Sequence, residues 1–302
     1  MSTTAIAVAP PRSAVLARLR DYVELTKPRI AVMELVVVAA SALVARWGTL
    51  SPLTVLHAML GTLLVAASAS AANQWIERRL DARMPRTADR PLPAGRIAAW
   101  EALAFSAATL LAGSIYLAWL VGWPCLGWAL LTWVLYVLAY TPLKTRSTTN
   151  TAVGAISGAL PVLIGWSATG AAIDERAVAL VLVLFLWQFP HFMAIAWLYR
   201  EQYARAGHQM LTVVEPTGRR AGAQAVLAAL ALVPVSLVPV LQNPGPGSIL
   251  FIAAATALGL GQLALAAAFW QSATEVRARL LLRASLVYLP TLLAMLMLAP
   301  WL

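Results

Sequence analysis

Apolar residues fall along this chain in nine long runs, at about 30–46, 53–76, 98–120, 124–141, 150–170, 177–199, 222–241, 248–270 and 283–301. Hydrocarbon about 30 Å thick is crossed by roughly 20 apolar residues of helix, and each run approaches that length. The segments between them are short and rich in Pro, Gly, Arg and Lys, as helix ends are. The pattern predicts an all-α, polytopic bundle of nine transmembrane helices around a central cavity. It forms one domain over 26–302, preceded by a short tail, 1–25. Pro161, Pro190, Pro234, Pro239 and Pro290 lie inside runs, where neighbouring helices or a cavity must satisfy the freed backbone groups. Small residues recur at Ala66–Ala72 and Gly154–Ala159, which predicts close helix packing there.

Composition agrees and excludes other classes. The chain of 302 residues is 61% hydrophobic and 11% charged, with mean hydropathy +0.77. Soluble domains carry more charge, and disordered chains are apolar-poor. The net charge of +10 first suggests nucleic acid, but the position of the charges points elsewhere. With the N-terminus placed in the cytoplasm, 20 of the 22 Lys and Arg residues fall on the inner side. Only Arg46 and Arg176 fall outside. That sorting follows the positive-inside rule and predicts a cytoplasmic N-terminus and an outer C-terminus. No nucleic-acid partner is implied. The first 20 residues, rich in Ala, Ser and Thr, suit a disordered cytoplasmic tail better than a transit peptide or a cleaved signal. The single Cys125 leaves neither a disulfide framework nor a thiolate metal site.

Polar groups near or within the spans are the informative ones. Asn73, Glu77 and Asp81 stand four apart at the end of the second run, so they share one helix face. Two carboxylates about 6 Å apart along a helix suit Mg²⁺, which readily takes phosphate oxygens as further ligands. Arg86 and Arg90 follow, and guanidinium groups bind phosphate bidentately. The alternative is a solvated helix end whose acids pair with local arginines. Two further polar clusters fall on the same side: Tyr199 to His208, and Tyr140 to Arg146 with Asn150. Three inner clusters facing nearly featureless outer loops argue for one site on the cytoplasmic side. His191, after Pro190 in the sixth run, suits a contact to a metal or polar substrate, or a packed histidine. Glu34 stays protonated, pairs with a neighbour or lines the cavity, and His57 reads as structural.

The stretch Asn73 to Pro93, with Asn-x-x-x-Glu-x-x-x-Asp followed by Arg-Thr-x-x-Arg-Pro-Leu-Pro, resembles the first motif of the UbiA superfamily of intramembrane prenyltransferases. Leu25–Arg29, Tyr140–Lys144, Gly154–Trp166, Trp187–Phe192 and Arg200–Leu211 extend the resemblance over most of the first 215 residues. Trp-Gln-Phe-Pro-His-Phe, with the Tyr-Arg-Glu and Ala-Gly-His stretches, is similar to the branch that farnesylates heme.

The resemblance implies transfer of a farnesyl group from farnesyl diphosphate to a vinyl group of protoheme IX (heme b), with Mg²⁺ bridging the diphosphate. Asn73, Glu77 and Asp81 take the first-motif positions, with Glu77 where aspartate is more usual. Arg86, Arg90, Lys144, Arg146 and Lys27 are the expected diphosphate contacts. Arg200, Glu201, Gln202 and Tyr203 form the second motif, with Glu201 joining Glu77 and Asp81 as a metal ligand. Gln202 stands where family members commonly hold an acid, which puts a second fully charged metal site in doubt. His191 is carried over as the heme contact. The membrane implied is a bacterial plasma membrane in preference to the mitochondrial inner membrane. Heme A synthase or terminal-oxidase assembly factors are the implied protein partners. Other readings keep the fold with a quinone precursor or other aromatic acceptor, or take the chain as a transporter or a non-catalytic heme-handling factor.

Overall fold

The structure, a computed structural model, describes residues 12–47 and 49–298. Residues 1–11 of the predicted tail, and the end of the ninth run beyond 298, lie outside the described residues. The elements in order are α1 (Arg12–Leu25), α2 (Pro28–Ala45), α3 (Pro52–Asp81), α4 (Ala99–Leu120) and α5 (Trp123–Val134). A π-helical turn (Leu135–Tyr140) leads into α6 (Thr141–Leu143), α7 (Asn150–Ala159), α8 (Pro161–Ala168) and α9 (Glu175–Leu198). Then come α10 (Arg200–Ala206), α11 (Leu211–Val214), α12 (Arg219–Val235), α13 (Val238–Leu241), α14 (Ser248–Gln271) and α15 (Glu275–Leu298).

Nine helical segments among the described residues are long and apolar enough to cross a membrane, matching the nine runs. Two ends differ. The second extends to Asp81 and the ninth begins at Glu275, because the polar residues that end an apolar run do not end its helix. At the start of α15, Glu275 and Arg279 pair at 3.1 Å one turn apart, which supports helix where hydropathy is low.

Prolines set several boundaries. Pro28, Pro52, Pro124 and Pro161 occupy first-turn positions, where the missing N–H costs nothing. Pro161 therefore divides the fifth span into α7 and α8, and Pro239 likewise opens α13. The sequence had placed both inside runs. Pro190, Pro234 and Pro290 do lie within helices. Pro142 has no N–H to offer the preceding turn, and there the Thr141 N–H reaches back five residues to the Tyr136 carbonyl.

Small residues bring helices together as the pattern predicts. Ser68 of α3 and Ser106 of α4 bond to each other at 3.0 Å. A Cβ on Gly165 would strike the Val38 carbonyl, so only glycine lets α8 lie this close to α2. The largest apolar core joins α2, α8, α9 and α15 around Trp166 and Tyr288.

The expectation of a disordered tail does not hold from Arg12 onward, where α1 forms. It is clamped to the segment after α3: Arg96 meets Asp21 at 2.7 Å and Glu24 at 2.8 Å, and Arg18 pairs with Glu101. Leu25 is fully buried, and its carbonyl accepts from the Gln74 amide at 2.8 Å. These contacts deliver Lys27, in the left-handed region at φ 53°, to the end of α3.

Candidate active site

α3 has 30 residues, about 45 Å at 1.5 Å per residue, so it outruns a hydrocarbon layer of about 30 Å. Its last turns are enclosed by the α1–α2 turn, the 82–98 segment, the π turn and the loop after α10. Asn73, Glu77 and Asp81, predicted to share a face, are 0%, 5% and 1% exposed. A solvated helix end is therefore excluded.

Such burial demands partners for every polar atom. Asn73 donates to Glu77 Oε2 at 3.0 Å and to Thr141 Oγ1 at 2.9 Å, and accepts from Lys27 Nζ. Glu77 Oε1 pairs with Lys144 Nζ at 2.8 Å, off the direction of a good hydrogen bond. Asp81 Oδ2 takes Arg90 Nη1 at 2.7 Å, while Thr87 Oγ1 donates to the Asp81 carbonyl at 2.8 Å. Local arginine pairing thus holds for Asp81 but not for Glu77, whose cation comes from another span.

Lys27, Glu77, Asp81, Thr87, Arg90 and Lys144 line a polar cleft of ≈80 Å³ together with Arg86, Tyr140, Tyr203 and His208, while Asn73 stands behind Glu77. Arg86 donates to the Tyr203 hydroxyl at 2.8 Å, and its guanidinium lies 4.7 and 4.8 Å from the rings of Tyr199 and Tyr203. Lys144 sits 4.6 Å from the centre of the Tyr140 ring. Gly154 makes that position possible, because a Cβ there would come within 2.8 Å of the Tyr140 ring. Burial lowers the pKa of Lys27 to about 7, with repulsion from Arg90 and Lys144 adding to it. Burial also opposes charge on Lys144, but Glu77 outweighs it and the pKa rises.

Of the expected diphosphate contacts, Lys27, Arg86, Arg90 and Lys144 converge on this cleft and Arg146 does not. Arg146 is exposed on the turn after α6. In the second motif, Tyr203 reaches the cleft. Glu201, expected as a third metal ligand, is excluded from the lining: its side chain is 73% exposed and only 3.9 Å from Arg200. Helix α10 stands outside the bundle and turns that carboxylate to solvent. Arg200 is spent on Trp197, donating to its carbonyl at 2.9 Å and lying over its ring. Gln202 Oε1 is buried without a partner.

Glu34 makes no hydrogen bond or ion pair among the described residues and does not line the cleft. His57 bonds Tyr116 across α3 and α4 at 2.7 Å, a packing role. Tyr140 and His208, each named within an inner polar cluster but given no role of its own, also line the cleft. Thr87 and Met84, within the first-motif stretch, and Met210 line it too, and the sequence had assigned them no role. At the opposite end of the bundle, a wider groove of ≈450 Å³ between α9 and α12–α13 is mostly apolar and gathers no comparable chemistry.

The donor set fits a magnesium-bridged diphosphate. Two carboxylates on one helix face supply hard oxygen ligands, and four basic side chains supply partners for phosphate oxygens. No group of three or more His, Cys, Asp or Glu side chains converges among the described residues. A cation here would draw its remaining ligands from diphosphate and water.

A bundle of apolar helices with a phosphate-ready acidic cleft at one end defines an intramembrane transferase of charged, lipid-like substrates. Residues 35–299 match the model of the UbiA prenyltransferase family, and the chain belongs to that family. It is 47% identical to a protoheme IX farnesyltransferase of Rhodopirellula baltica, over 90% of this chain and 96% of that one. Identity is 43% to a protoheme IX farnesyltransferase of Solibacter usitatus, over 93% and 98%. Among solved structures, a digeranylgeranylglyceryl phosphate synthase superposes with TM-score 0.78 at 18% identity, covering 94% of this chain and 99% of its own. A UbiA homolog from Archaeoglobus fulgidus bound to GPP and Mg²⁺ gives 0.69 at 17%, over 93% and 100%. At these identities the two structures establish the shared fold.

Proposed function

We propose that the protein transfers the farnesyl group of farnesyl diphosphate to a vinyl group of protoheme IX. The observation that carries this is the buried acid pair of α3 facing four cations in one cleft, in a chain 47% identical to a protoheme IX farnesyltransferase. Glu77, oriented by Asn73, and Asp81 would hold Mg²⁺, which would supply Lewis-acid neutralisation of the diphosphate. Lys27, Arg86, Arg90 and Lys144 bind the phosphate oxygens. As the C–O bond of farnesyl diphosphate breaks, its electron pair leaves with diphosphate, and these preorganised cations stabilise the growing charge. The allylic cation is attacked by the vinyl π electrons of heme. Water adds to the resulting benzylic-type cation and loses a proton, giving a hydroxyethylfarnesyl group. The apolar walls keep water from the allylic cation until the C–C bond has formed.

His191 supports the heme acceptor. Ser285 Oγ donates to the Leu282 carbonyl at 2.7 Å, and its 2.9 Å contact to His191 fits the tautomer in which Nδ1–H is the donor. Nε2 then keeps its lone pair, the state in which imidazole ligates iron. Trp187 stacks on the ring at 4.8 Å and anchors to the Ser285 carbonyl at 2.7 Å. His191 stands seven residues before the end of α9, about 10 Å below it by helical rise, in the half of the bundle that holds the cleft.

The distribution of Lys and Arg supports an N-terminus in the cytoplasm and a C-terminus outside, in a bacterial plasma membrane. Residues 26–302 act as the single intramembrane domain, with 1–25 as its N-terminal segment. Heme A synthase or an oxidase assembly factor would take the product. The test is incubation of purified protein with heme b, farnesyl diphosphate and Mg²⁺, with the pigment read by mass spectrometry. The expected product is heme b plus one farnesyl group and one hydroxyl. Unchanged heme, with prenylation of an aromatic acceptor such as 4-hydroxybenzoate under the same conditions, would replace heme by that acceptor.

A further inference from the structure

His208 lines the cleft with a buried imidazole that has no hydrogen-bond partner among the described residues. It is 2% exposed, yet Nδ1 has no hydrogen-bond partner, and neither ring nitrogen bonds to another described residue. A buried polar group in that condition is destabilising unless something absent from the free protein completes it. The fold nevertheless fixes the ring firmly. Gly207, at φ 81°, turns the chain out of α10, and the His208 N–H bonds the Tyr203 carbonyl at 2.9 Å. The next residue is tied across the cleft, with the Gln209 N–H on the Lys144 carbonyl at 2.6 Å and its carbonyl accepting from Asn150 at 3.2 Å. The Tyr203 ring meets the imidazole edge-on at 5.6 Å.

The geometry points to His208 as a binding residue for the diphosphate of the substrate, with a ring N–H donating to a phosphate oxygen. This rests on the prenyl-diphosphate reading and adds a residue to it. The opposing wall decides which partner the ring takes. Both acids of the cleft, Glu77 and Asp81, stand on α3, and hard cations such as Mg²⁺ take oxygen in preference to imidazole nitrogen. A cation held on that wall therefore leaves the imidazole to its phosphate ligands. His208 and Arg86 then grip the diphosphate from the side opposite the acids, where exposed Glu201 contributes nothing.

The test uses inorganic pyrophosphate with Mg²⁺ as the probe, titrated calorimetrically into the purified full-length protein in lipid nanodiscs. One charge-assisted hydrogen bond is worth about 1.5–3 kcal/mol, so His208→Ala is expected to weaken pyrophosphate binding about 10–100-fold. The Mg²⁺ concentration for half-maximal binding should stay within twofold of wild type. His208→Gln, which keeps an N–H donor, should recover a substantial part of the loss, which repacking alone would not do. Thermal unfolding identifies a variant that fails to fold, and His208→Gln then carries the test against wild type. Wild-type affinity in His208→Ala would overturn the assignment while leaving the prenyl-diphosphate reading intact. So would equal loss in both variants, or a large shift in Mg²⁺ requirement, which would make His208 a metal ligand. Wild-type protein that binds no pyrophosphate at any Mg²⁺ concentration would overturn both.

Discussion

Two polar segments meet across the cleft, the end of α3 and the short helix α10 with the turn that follows it. Both carry acids, amides and basic residues within a few positions of each other. The fold buries Asn73, Glu77 and Asp81 almost completely and leaves the Glu201 side chain 73% exposed. The difference lies in what surrounds each helix. α3 continues past the length a membrane needs, and four other parts of the chain close around its excess turns. α10 has seven residues and lies outside the bundle, so only one side of it faces protein. Burial fixes the acids of α3 in place, as the proposed metal-ligand role needs, while water already satisfies Glu201. Position in the bundle, more than residue type, thus separates a working carboxylate from a solvated one.

The sharpest test of this contrast is Asp81→Asn. The change keeps shape and removes the charge, so farnesyl transfer should fall on the order of 100–1000-fold, the range for deleting one preorganised charge-stabilising group. Heme binding, measured separately by absorbance, should be unaffected. Activity within tenfold of wild type would show that burial of this acid serves packing alone.

Lys144→Met comes next. Lys144 holds Glu77 in the free protein and, on the proposed function, would hold a phosphate oxygen in the complex. Its loss should raise KM for farnesyl diphosphate about 10–100-fold, the worth of one charge-assisted contact. It should also lower the melting temperature, because Glu77 is left as an unpaired buried charge. Adding Glu77→Gln should restore the melting temperature without restoring turnover. A double variant as unstable as the single one would break the argument that this ion pair is electrostatic in origin.

Much of this was legible in the sequence, for physical reasons that also mark its limits. Nine apolar runs gave nine spans because lipid forces backbone hydrogen bonds inside each segment. The four-residue spacing of Asn73, Glu77 and Asp81 was readable because it is periodic within one helix. Glu201 took its expected metal role from the resemblance, which says what residue type stands at a position and not whether its side chain is covered, and in the free protein this one is exposed. His208, named only as the end of a polar cluster, received no role of its own because its burial depends on a loop docked against Lys144 and Asn150, about 60 residues away in sequence. The π turn at Leu135–Tyr140 escaped as well, since Pro142 announces a disturbed helix without saying how the backbone absorbs it.

Carried deeper into the bundle, the same logic concerns His191, where a neighbour's hydrogen bond sets the chemistry of a ring. Ser285→Ala removes the acceptor of His191 Nδ1–H and frees the tautomer. Heme affinity should fall by about 10-fold, the lower end for losing the partner that orients a metal-binding histidine, with a shifted Soret band. An unchanged spectrum and affinity would remove Ser285 from any role in heme binding.

The smallest effect is predicted where the sequence promised a large one. Glu201→Gln removes the acid of the second motif, yet its carboxylate is in water and 3.9 Å from its nearest cation. An exposed pair at that distance contributes roughly 0–1 kcal/mol. Turnover and the Mg²⁺ concentration for half-maximal activity should both change less than twofold. The comparison with Asp81→Asn is then a difference of two orders of magnitude between acids in the same protein. A loss in Glu201→Gln approaching that of Asp81→Asn would mean that α10 swings its carboxylate into the cleft when diphosphate binds. The contrast between the two walls would then belong only to the free protein. Crosslinking distinguishes the cases without relying on catalysis: cysteines placed at Arg79 and Ala204 should change their crosslinking rate on adding pyrophosphate and Mg²⁺ only if α10 moves.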